Sequence, residues 1–559
     1  MNKVFNISGD CKPDMHFMVD IGDRLAEMKA MIDRGDYFTV NRARQFGKTT
    51  TLKALRRYLK NEYQVLSLDF QKLSHKDFET ERAFVEALAR EILKKLYLMK
   101  EVPDGIVNGF RQFTQENNFS LKLAILFECF SKWCQKSEKP VVLIVDEVDS
   151  ATNNQVFLDF LAQIRGYYID RDEAATFQSV ILAGVYDVKN LKRKFVTDDE
   201  HRVNSPWNIA ADFNVDMSFS ARDIAGMLEE YEASYKTGMD IEVMSDMIYD
   251  YTSGYPYLVS RICKLIDERI AGDRDYNKSD AWTEEGLQEA LKILLTERNT
   301  LFESLIAKLT EYPELRKLLY MLLFEGSVIS YNPLNKSIEV AEMLGFVVNR
   351  YGNAVVSNRI FETILYNWFL SEESVGNEIH KAALQDKNQF IREGDLDMEL
   401  ELIRLEEVHI DELTKIMERA FNEDARIHLG KERGGPDGYD DGSFLRKWGL
   451  HKDASSYCIS LNQQLIGGVI LWINEDKNNF LGNIFIDPAC ENHGMGTKVW
   501  NMIEQLYPDT KIWNTETPAF SSRNHNFYVN KCGFHIIKIE NPKDKLEGKY
   551  ILQKVIREI

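Results

Sequence analysis

The segment that most constrains the fold of this chain is a short apolar strand that leads through a glycine-containing turn into a helix. Tyr37–Val40 is a β-rich run, and Thr49–Leu59 has the apolar spacing of an amphipathic helix. The turn between them reads RARQFGK. Because glycine lets backbone N–H groups approach a ligand and a helix start carries partial positive charge, such a turn is suited to phosphate groups.

Strands and helices continue to alternate up to about residue 188. Further apolar runs at Val65–Phe70, Val141–Val145 and Ser179–Val185 are separated by amphipathic helices such as Glu81–Leu98 and Leu121–Cys134. Strands that alternate with helices predict a parallel sheet with both faces covered. The 559 residues exceed what one hydrophobic core accommodates, so several packed units are expected.

Two motifs in this region supply the side chains that triphosphate binding requires. Lys48 can reach the terminal phosphates, and the Thr49 hydroxyl can coordinate Mg²⁺. An apolar strand ends in Asp146 and Glu147, so we expect Asp146 to hold Mg²⁺ and Glu147 to polarise the attacking water. The predicted metal ligands are therefore Thr49 and Asp146. The predicted ATP-binding residues are Arg44, Gln45, Phe46, Gly47, Lys48, Thr49 and Thr50.

These motifs resemble those of P-loop proteins of the bacterial AAA-ATPase-like group and, more widely, of STAND and archaeal-type ATPases. The resemblance covers about residues 10–370 and implies ATP and Mg²⁺ as cofactors. Arg42 stands where the usual GxxxxGK[ST] loop has its first glycine, and RARQFGKTT is a variant of this family's loops. Thr252–Leu258 looks like the GxP motif of the helical lid in this superfamily.

The middle of the chain predicts helices followed by a hairpin. From about Ser220 to Leu370, apolar residues recur at three- and four-residue spacing. Phe346–Asn349 and Ala354–Val356 flank a Tyr-Gly-Asn turn, which predicts a small β-hairpin and, with the preceding helices, a winged-helix-like unit. The charged segment 371–397 is interpreted as a connector.

Strands return after Met398 and predict a mixed α+β domain of about 160 residues. A turn with Gly494 and Gly496 opens an amphipathic helix there, which makes a second backbone nest for an anion. No Lys-[ST] pair follows in the P-loop order, so a CoA pyrophosphate fits this turn better than a nucleoside triphosphate. The predicted strands are Tyr457–Leu461, Leu465–Ile473, Phe480–Ile486, Lys511–Asn514, Phe534–Ile539 and Lys549–Lys554.

Together with the sequence SRNHNFYVNKCGF at residues 522–534, this turn resembles the GNAT (GCN5-related N-acetyltransferase) superfamily. The resemblance covers about residues 398–559 and implies acetyl-CoA as cofactor and an amine as acceptor. It implies that Tyr528 protonates the departing thiolate and that Asn524 contacts the pantetheine arm or the acetyl-thioester side. It also implies that the strand around Phe485 and Ile486 pairs with pantetheine. The other residues implied to bind acetyl-CoA are Glu491, Asn492, His493, Gly494, Met495, Gly496 and Thr497.

Two points of the acetyltransferase resemblance stay open. Glu491 replaces the Arg or Gln that the family usually has, and a negative side chain is unfavourable beside a diphosphate unless it points away. The general base is not fixed, since Glu516, Glu475 and Asp476 are all candidates. A glycine-rich acidic loop at residues 434–441 lies where substrate-binding helices of this family usually lie, and could attract an amine.

The predicted fold class is a multidomain α/β chain. It combines a P-loop parallel-sheet ATPase, a helical lid and a winged-helix-like unit with an α+β GNAT domain. The predicted domains are an AAA-like ATPase core (1–219), the lid (220–285), the winged-helix-like unit (286–370), the connector (371–397) and the N-acetyltransferase (398–559).

Composition limits the partners and the compartment. A net charge of −19 disfavours a nonspecific nucleic-acid or anionic-membrane binder. The seven cysteines form no CxxC pair, which predicts free thiols in a reducing cytoplasm. No window approaches 18 consecutive apolar residues, so no membrane span is expected.

The leading hypothesis is an ATP-binding, ATP-hydrolysing protein with an acetyl-CoA-dependent N-acetyltransferase. Its acceptor would be an amine on a small molecule, a protein or an aminoacyl-tRNA, and a homo-oligomer formed through the ATPase stays open. The alternative is a nucleotide-dependent sensor or scaffold in defence or stress signalling, whose GNAT domain is a non-catalytic ligand-binding module. Glu491 is the feature in its favour. A third hypothesis makes the winged-helix-like segment a DNA reader, and the acidic balance counts against it.

Overall fold

The computed structural model describes residues 3–99, 101–115, 121–152, 154–185, 206–272, 277–324, 328–385, 400–490, 495–544 and 546–556, with backbone alone for 373–385 and 530. Its contacts divide the chain into two compact units. The first comprises the residues up to Tyr249 together with Ser253–Leu287 and Glu339–Phe346. The second comprises Asp250–Thr252, Gln288–Ile338 and the residues from Val347 onwards.

The first unit is built on a four-stranded parallel sheet in the order β1-β4-β3-β2. The strands are β1 (Phe38–Asn41), β2 (Gln64–Asp69), β3 (Val141–Asp146) and β4 (Ser179–Gly184). Both β3 and β4 are buried along their whole length. Val142 and Ile144 lie in one apolar core, and Leu143 and Val145 lie in another. The predicted parallel sheet with two covered faces is therefore confirmed.

Helices cover this sheet and extend beyond it. Those up to residue 169 are α1 (Gly22–Asp33), α2 (Lys48–Leu59), α3 (Glu81–Leu96), α4 (Asp104–Arg111), α5 (Leu123–Lys136) and α6 (Gln155–Ile169). The predicted lid begins with α7 (Ala221–Tyr235), α8 (Ile241–Thr252) and α9 (Pro256–Leu265).

The predicted helices and hairpin follow in the middle of the chain. The helices are α10 (Lys278–Ala281), α11 (Glu284–Thr296), α12 (Thr300–Glu311), α13 (Pro313–Phe324), α14 (Lys336–Met343) and α15 (Arg359–Gln385), and the strands are β5 (Val347–Arg350) and β6 (Asn353–Val356). Tyr351 and Gly352 both have positive φ and form the two-residue turn. The turn is one residue shorter than predicted, because Asn353 pairs with Arg350 in the ladder.

The C-terminal part folds into a seven-stranded sheet in the order β12-β13-β11-β10-β9-β8-β7. Its strands are β7 (Leu400–Arg404), β8 (Ala454–Leu461), β9 (Gln464–Trp472), β10 (Asn478–Ile486), β11 (Ile512–Pro518), β12 (His535–Glu540) and β13 (Lys549–Val555). Its helices are α16 (Ile410–Leu429), α17 (Met495–Leu506) and α18 (Ser522–His525). All pairings are antiparallel except that of β10 with β11.

The sequence did not predict strand β7. It lies at the edge of the sheet and pairs only with β8, and most of its side chains are exposed. An edge strand of this kind needs no strict alternation of buried and exposed residues, so the pattern that marks a strand is weak.

Two further expectations concern cysteines and membrane spans. All seven cysteines are free thiols, as predicted. None of the helices in the part of the chain that the structure describes combines the length and apolar character needed to cross a bilayer.

The lid contains a glycine that no other residue can replace without movement. Gly254 has φ +71°, and an added Cβ would lie 1.9 Å from the carbonyl oxygen of Phe219. We expect Gly254→Ala to lower the free energy of unfolding by about 3 kcal/mol or more, because the backbone must shift. Gly238→Ala is the matched control, since Gly238 has φ +79° but no atom within 4 Å of an added Cβ.

The control variant should lose only about 1 kcal/mol, the cost of the left-handed conformation alone. Urea unfolding of both variants, followed by circular dichroism, measures the difference. Equal losses would show that the contact with Phe219 does not constrain the lid.

Candidate functional site

The turn between β1 and α2 is closed around Lys48. The Lys48 Nζ donates to the carbonyl oxygen of Arg42 at 2.8 Å and to that of Ala43 at 3.0 Å. Gln45 and Gly47 have positive φ and reverse the chain direction before the helix begins. The predicted strand, turn and helix therefore form, with the lysine folded back over the turn.

Arg42 takes the position of the missing glycine without entering the turn. Its φ does not lie in the left-handed region. Its guanidinium donates to the carbonyl oxygens of Asn41 and Val215, each at 2.8 Å, and lies 5.3 Å from the centre of the Phe213 ring. Because these contacts hold the side chain against neighbouring backbone and an aromatic ring, a large residue is accommodated where the usual loop has glycine.

The acidic pair at the end of β3 lies beside this turn. The Thr49 hydroxyl donates to Oδ2 of Asp146 at 2.8 Å, so the two predicted metal ligands are adjacent. Burial raises the pKa of Asp146, and burial together with the charge of Asp146 raises the pKa of Glu147. Burial also lowers the pKa of Lys48, and the carboxylates around it oppose that shift.

In the part of the chain that the structure describes, no group of three or more His, Cys, Asp or Glu side chains could hold a metal ion. Mg²⁺ commonly uses one or two protein oxygens and completes its shell with water and substrate phosphates. Thr49 and Asp146 fit that pattern.

The other predicted residues of the turn have different surroundings. The side chains of Arg44 and Gln45 are exposed, and Phe46 is half-buried. The Thr50 hydroxyl accepts a hydrogen bond from the Cys11 N–H at 3.3 Å.

Sequence reasoning missed two residues that support the turn. Asp149 accepts a hydrogen bond from the Val185 N–H at 2.7 Å, and its charge acts on Lys48. Tyr255, within the predicted lid motif, donates its hydroxyl to the carbonyl oxygen of Arg44. Its ring packs edge-on against Phe46 at 4.8 Å between centroids. The sequence signals available were the acidic run that ends in Asp149 and the lid motif that contains Tyr255. Neither signal says which atom each side chain contacts.

A second candidate site lies where β10 and β11 separate. The two strands pair only up to Leu481 and Thr515. Beyond this fork β10 follows β9 and β11 follows β13, and the register of β10 with β9 shifts between Leu481 and Asn483. A bulge of this kind bends a strand away from its neighbour. The facing edges of the separated strands can then hydrogen-bond an extended ligand.

The segments beyond the fork carry polar atoms that suit such a ligand. Asn483 Oδ1 on β10 and Thr517 Oγ1 on β11 are buried and have no hydrogen-bond partner among the described residues. Buried polar atoms are normally paired, so these two fit a ligand with amide groups. Phe485 and Ile486 lie in the same segment, and because the Phe485 side chain is buried in the core, only its backbone remains for a ligand.

Tyr528 lies at the fork. It follows α18, in a helical turn widened to i→i+5 hydrogen bonds such as that from Cys532 N to Phe527 O at 3.0 Å. Tyr528 is buried, and its hydroxyl is close enough to the side chain of Thr515 for that side chain to affect its pKa. Thr515 is the last residue of β11 that pairs with β10. Burial raises the pKa of Tyr528 well above its ordinary value. The hydroxyl therefore keeps its proton at neutral pH, as a general acid requires.

The start of α17 packs closely on the helix that carries Tyr528. An added Cβ on Gly496 would lie 2.8 Å from the Phe527 ring, so the contact requires a residue without a side chain. Met495 is buried, Thr497 is half-buried in the first turn of α17, and Asn524 is half-buried in α18. The predicted acetyl-CoA residues Glu491, Asn492, His493 and Gly494 lie outside the described residues.

The candidate bases from the sequence do not converge on the fork. Glu516 follows the fork on β11 but is exposed and ion-paired with Lys549 at 2.7 Å. Glu475 and Asp476 precede β10, at the opposite end of that strand. There Asp476 accepts a hydrogen bond from the Asn478 N–H at 3.0 Å.

Comparisons with known proteins match both parts of the chain. A family model described as AAA-like domain matches residues 14–365, and one described as acetyltransferase (GNAT) family matches residues 412–534. The uncharacterized protein YrkN of Bacillus subtilis (strain 168) is 44% identical over 86 residues, which are 15% of this chain and 46% of that protein. The chain thus spans about half the length of this curated relative.

Solved structures with similar folds include a Walker-type ATPase of Pyrococcus abyssi, at 13% identity and a TM-score of 0.43, covering 65% of this chain and 99% of that one. Another is a ribosomal-protein-S18-alanine N-acetyltransferase from Escherichia coli, at 14% identity and a TM-score of 0.23, covering 29% and 96%. Because the first family model matches more than half of the residues, the chain belongs to the AAA-like domain family and carries a GNAT acetyltransferase domain in its C-terminal part.

Proposed function

We propose that this chain binds and hydrolyses ATP with Mg²⁺ at the turn between β1 and α2, and transfers acetyl from acetyl-CoA to an amine at the fork. The observation that carries the acetyltransferase is the buried Tyr528 near Thr515, the last residue of β11 that pairs with β10. The ATPase is supported by the contact of Thr49 with Asp146 beside Lys48.

At the first site, each side chain has a separate task. Lys48, held by two backbone carbonyls, presents its ammonium to phosphate oxygens, and Thr49 and Asp146 hold the metal ion. Bound Mg²⁺ supplies positive charge that neutralises the phosphates. Glu147 accepts a proton from the attacking water, and its raised pKa makes it a stronger base than an ordinary carboxylate.

At the second site, the backbone beyond the fork positions the acetyl thioester. The acceptor nitrogen attacks the thioester carbon, so that a C–N bond forms and the C–S bond breaks. Tyr528 donates its proton to the departing thiolate, and the amine loses one proton. The products are an acetamide and CoA with a free thiol.

Lysine substitution tests the nucleotide site. Lys48→Ala should weaken ATP·Mg²⁺ binding by at least about 100-fold, because a charge-assisted contact to phosphate is lost at a buried position. Calorimetric titration with ATP and MgCl₂ measures this. The matched control is Lys53→Ala on the same helix, whose ammonium pairs with Asp10 at 2.9 Å. Wild-type affinity in Lys48→Ala would refute the nucleotide site.

In the same assays, Glu147→Gln should retain ATP binding within about three-fold but lower phosphate release about 100-fold, because the amide cannot accept a proton. Unchanged phosphate release would remove Glu147 from the proposed chemistry.

Removal of the Tyr528 hydroxyl tests the proposed acetyltransferase. Tyr528→Phe should lower kcat for CoA release about 100-fold and leave acetyl-CoA affinity within about three-fold, because only the proton donor is removed. Thiol release from acetyl-CoA with a polyamine, an aminoglycoside and an N-terminal peptide measures kcat, and calorimetry measures affinity. Since the Tyr528 pKa is raised above 10, wild-type kcat should not fall on the alkaline side until above pH 10.

Tyr507→Phe is the control, since its hydroxyl contacts that of Tyr457 at 2.8 Å. A wild-type chain that does not bind acetyl-CoA would overturn the acetyltransferase. Acetyl-CoA binding without turnover would favour the alternative, a non-catalytic ligand-binding module.

A further inference from the structure

A group of polar side chains near Tyr528 has no part in the chemistry described so far. Asp424 lies on α16, and its Oδ1 accepts a hydrogen bond from the Ser521 hydroxyl at 2.9 Å. The same oxygen lies 3.4 Å from Nε2 of His428, one turn further along the helix. Ser521 is fully buried and directly precedes α18, the helix that leads to Tyr528.

Asp424 is an electrostatic neighbour of the proposed acid. Burial is the main cause of the raised pKa of Tyr528, and the negative charge of Asp424 adds to it. The Asp424 side chain keeps 19% of its surface exposed, whereas that of His428 keeps 4%. The carboxylate is therefore reachable from solvent, whereas the imidazole is almost fully buried.

His428 has an unused nitrogen. Its Nε2 is buried and makes no aligned hydrogen bond within the described part of the chain, although Asp424 is close. An unsatisfied buried polar atom costs about 1–3 kcal/mol, so it calls for a partner. Burial lowers the pKa of His428, the charge of Asp424 opposes this, and that of Arg523 adds to it. Burial therefore favours the neutral imidazole, the form that can accept a proton.

An acidic loop is attached to the same helix. Asn422 accepts hydrogen bonds from the Gly434 N–H at 3.1 Å and the Tyr439 hydroxyl at 2.8 Å, and these bonds fasten the 434–441 loop to α16. The loop carries three aspartates, one of them within 3.8 Å of Arg433, and adds to the negative potential of this part of the domain.

We propose that Asp424 binds the ammonium group of the acetyl acceptor and that His428 accepts the proton which that group must lose. An ammonium group placed between the two would pair with the carboxylate and give the orphan Nε2 a partner. The acceptor class is a cationic primary amine. This inference rests on the proposed acetyltransferase and adds the base that the sequence left open.

The proton balance is complete with these residues. The ammonium passes one proton to His428 Nε2, and the freed lone pair attacks the thioester carbon. The C–N bond forms as the C–S bond breaks, and Tyr528 protonates the thiolate. After attack the nitrogen carries one proton too many, and this proton returns through solvent to Tyr528. His428 releases the proton that it accepted to solvent once the amide product has left.

Two substitutions separate the two roles. Asp424→Asn should raise KM for the amine by about 10-fold or more, because the ion pair is lost while the amide oxygen can still accept from Ser521. His428→Gln should lower kcat about 100-fold. It should also flatten the acidic limb of the pH profile of kcat/KM. In the wild type that limb lies below pH 6.5, because His428 acts only when deprotonated and its pKa is lowered from 6.5.

The matched control is Asp411→Asn, which makes the same charge change on the same helix at a side chain that is 92% exposed. In all three variants, the acetyl-CoA affinity measured by calorimetry should equal that of the wild type. The melting temperature should also be unchanged. KM and kcat are measured with the polyamine, the aminoglycoside and the N-terminal peptide, from the release of the CoA thiol.

The outcomes are distinguishable. If Asp424→Asn and His428→Gln keep the amine kinetics and pH profile of Asp411→Asn, the pair is not the amine site, while the proposed acetyltransferase stands. If they lose acetyl-CoA affinity instead, the pair belongs to the CoA site and the inference is wrong. A wild-type chain that neither binds acetyl-CoA nor releases CoA overturns the proposed function, and this inference with it.

Discussion

Both candidate sites depend on backbone groups at the end of a parallel strand pairing. Buried N–H and C=O groups must be hydrogen-bonded, and the ladder between two strands satisfies them only as far as the strands stay paired. In the first sheet the chain leaves β1 through a tight turn, and two of its carbonyls are satisfied by Lys48. In the second sheet the pairing of β10 with β11 stops at Thr515. Each site uses backbone that the sheet itself leaves available.

The nucleotide-type turn keeps its shape without its first glycine because other residues fix it from outside. The Arg42 guanidinium is bound to backbone carbonyls and to the Phe213 ring, so it stays out of the turn. Tyr255 fastens the carbonyl of Arg44. An added Cβ on Gly345 would lie 2.8 Å from the Cβ of Ala43, so close packing also limits the turn on that side. The shape of the turn is thus a property of the whole first unit.

The acetyltransferase domain shares its compact unit with preceding helices, and buried polar contacts join them. Arg359 on α15 pairs with Glu362 at 2.8 Å and reaches the Tyr550 hydroxyl on β13 at 3.3 Å. Both charged side chains of that pair are only 8% exposed. Tyr366 on α15 contacts Nδ1 of His525 at 3.0 Å, and His525 Nε2 contacts the carbonyl of Pro518. Buried polar contacts of this kind contribute little net stability but favour one arrangement of the elements that they join. Here they hold α18 beside the end of β11.

The sequence by itself determined what depends on neighbouring residues. Apolar periodicity predicted the strands around Val142 and Ile181, because such a pattern is set by a few consecutive side chains. It also predicted the hairpin, although with a three-residue turn where the structure has Tyr351 and Gly352 alone. Resemblance assigned the roles of Lys48 and Tyr528, which stay proposals. The tertiary structure decided what depends on distant partners: the edge strand β7, the fork, and the contact of Ser521 with Asp424. Asp424 and Ser521 are 97 positions apart, and only the folded sheet brings them within hydrogen-bonding distance.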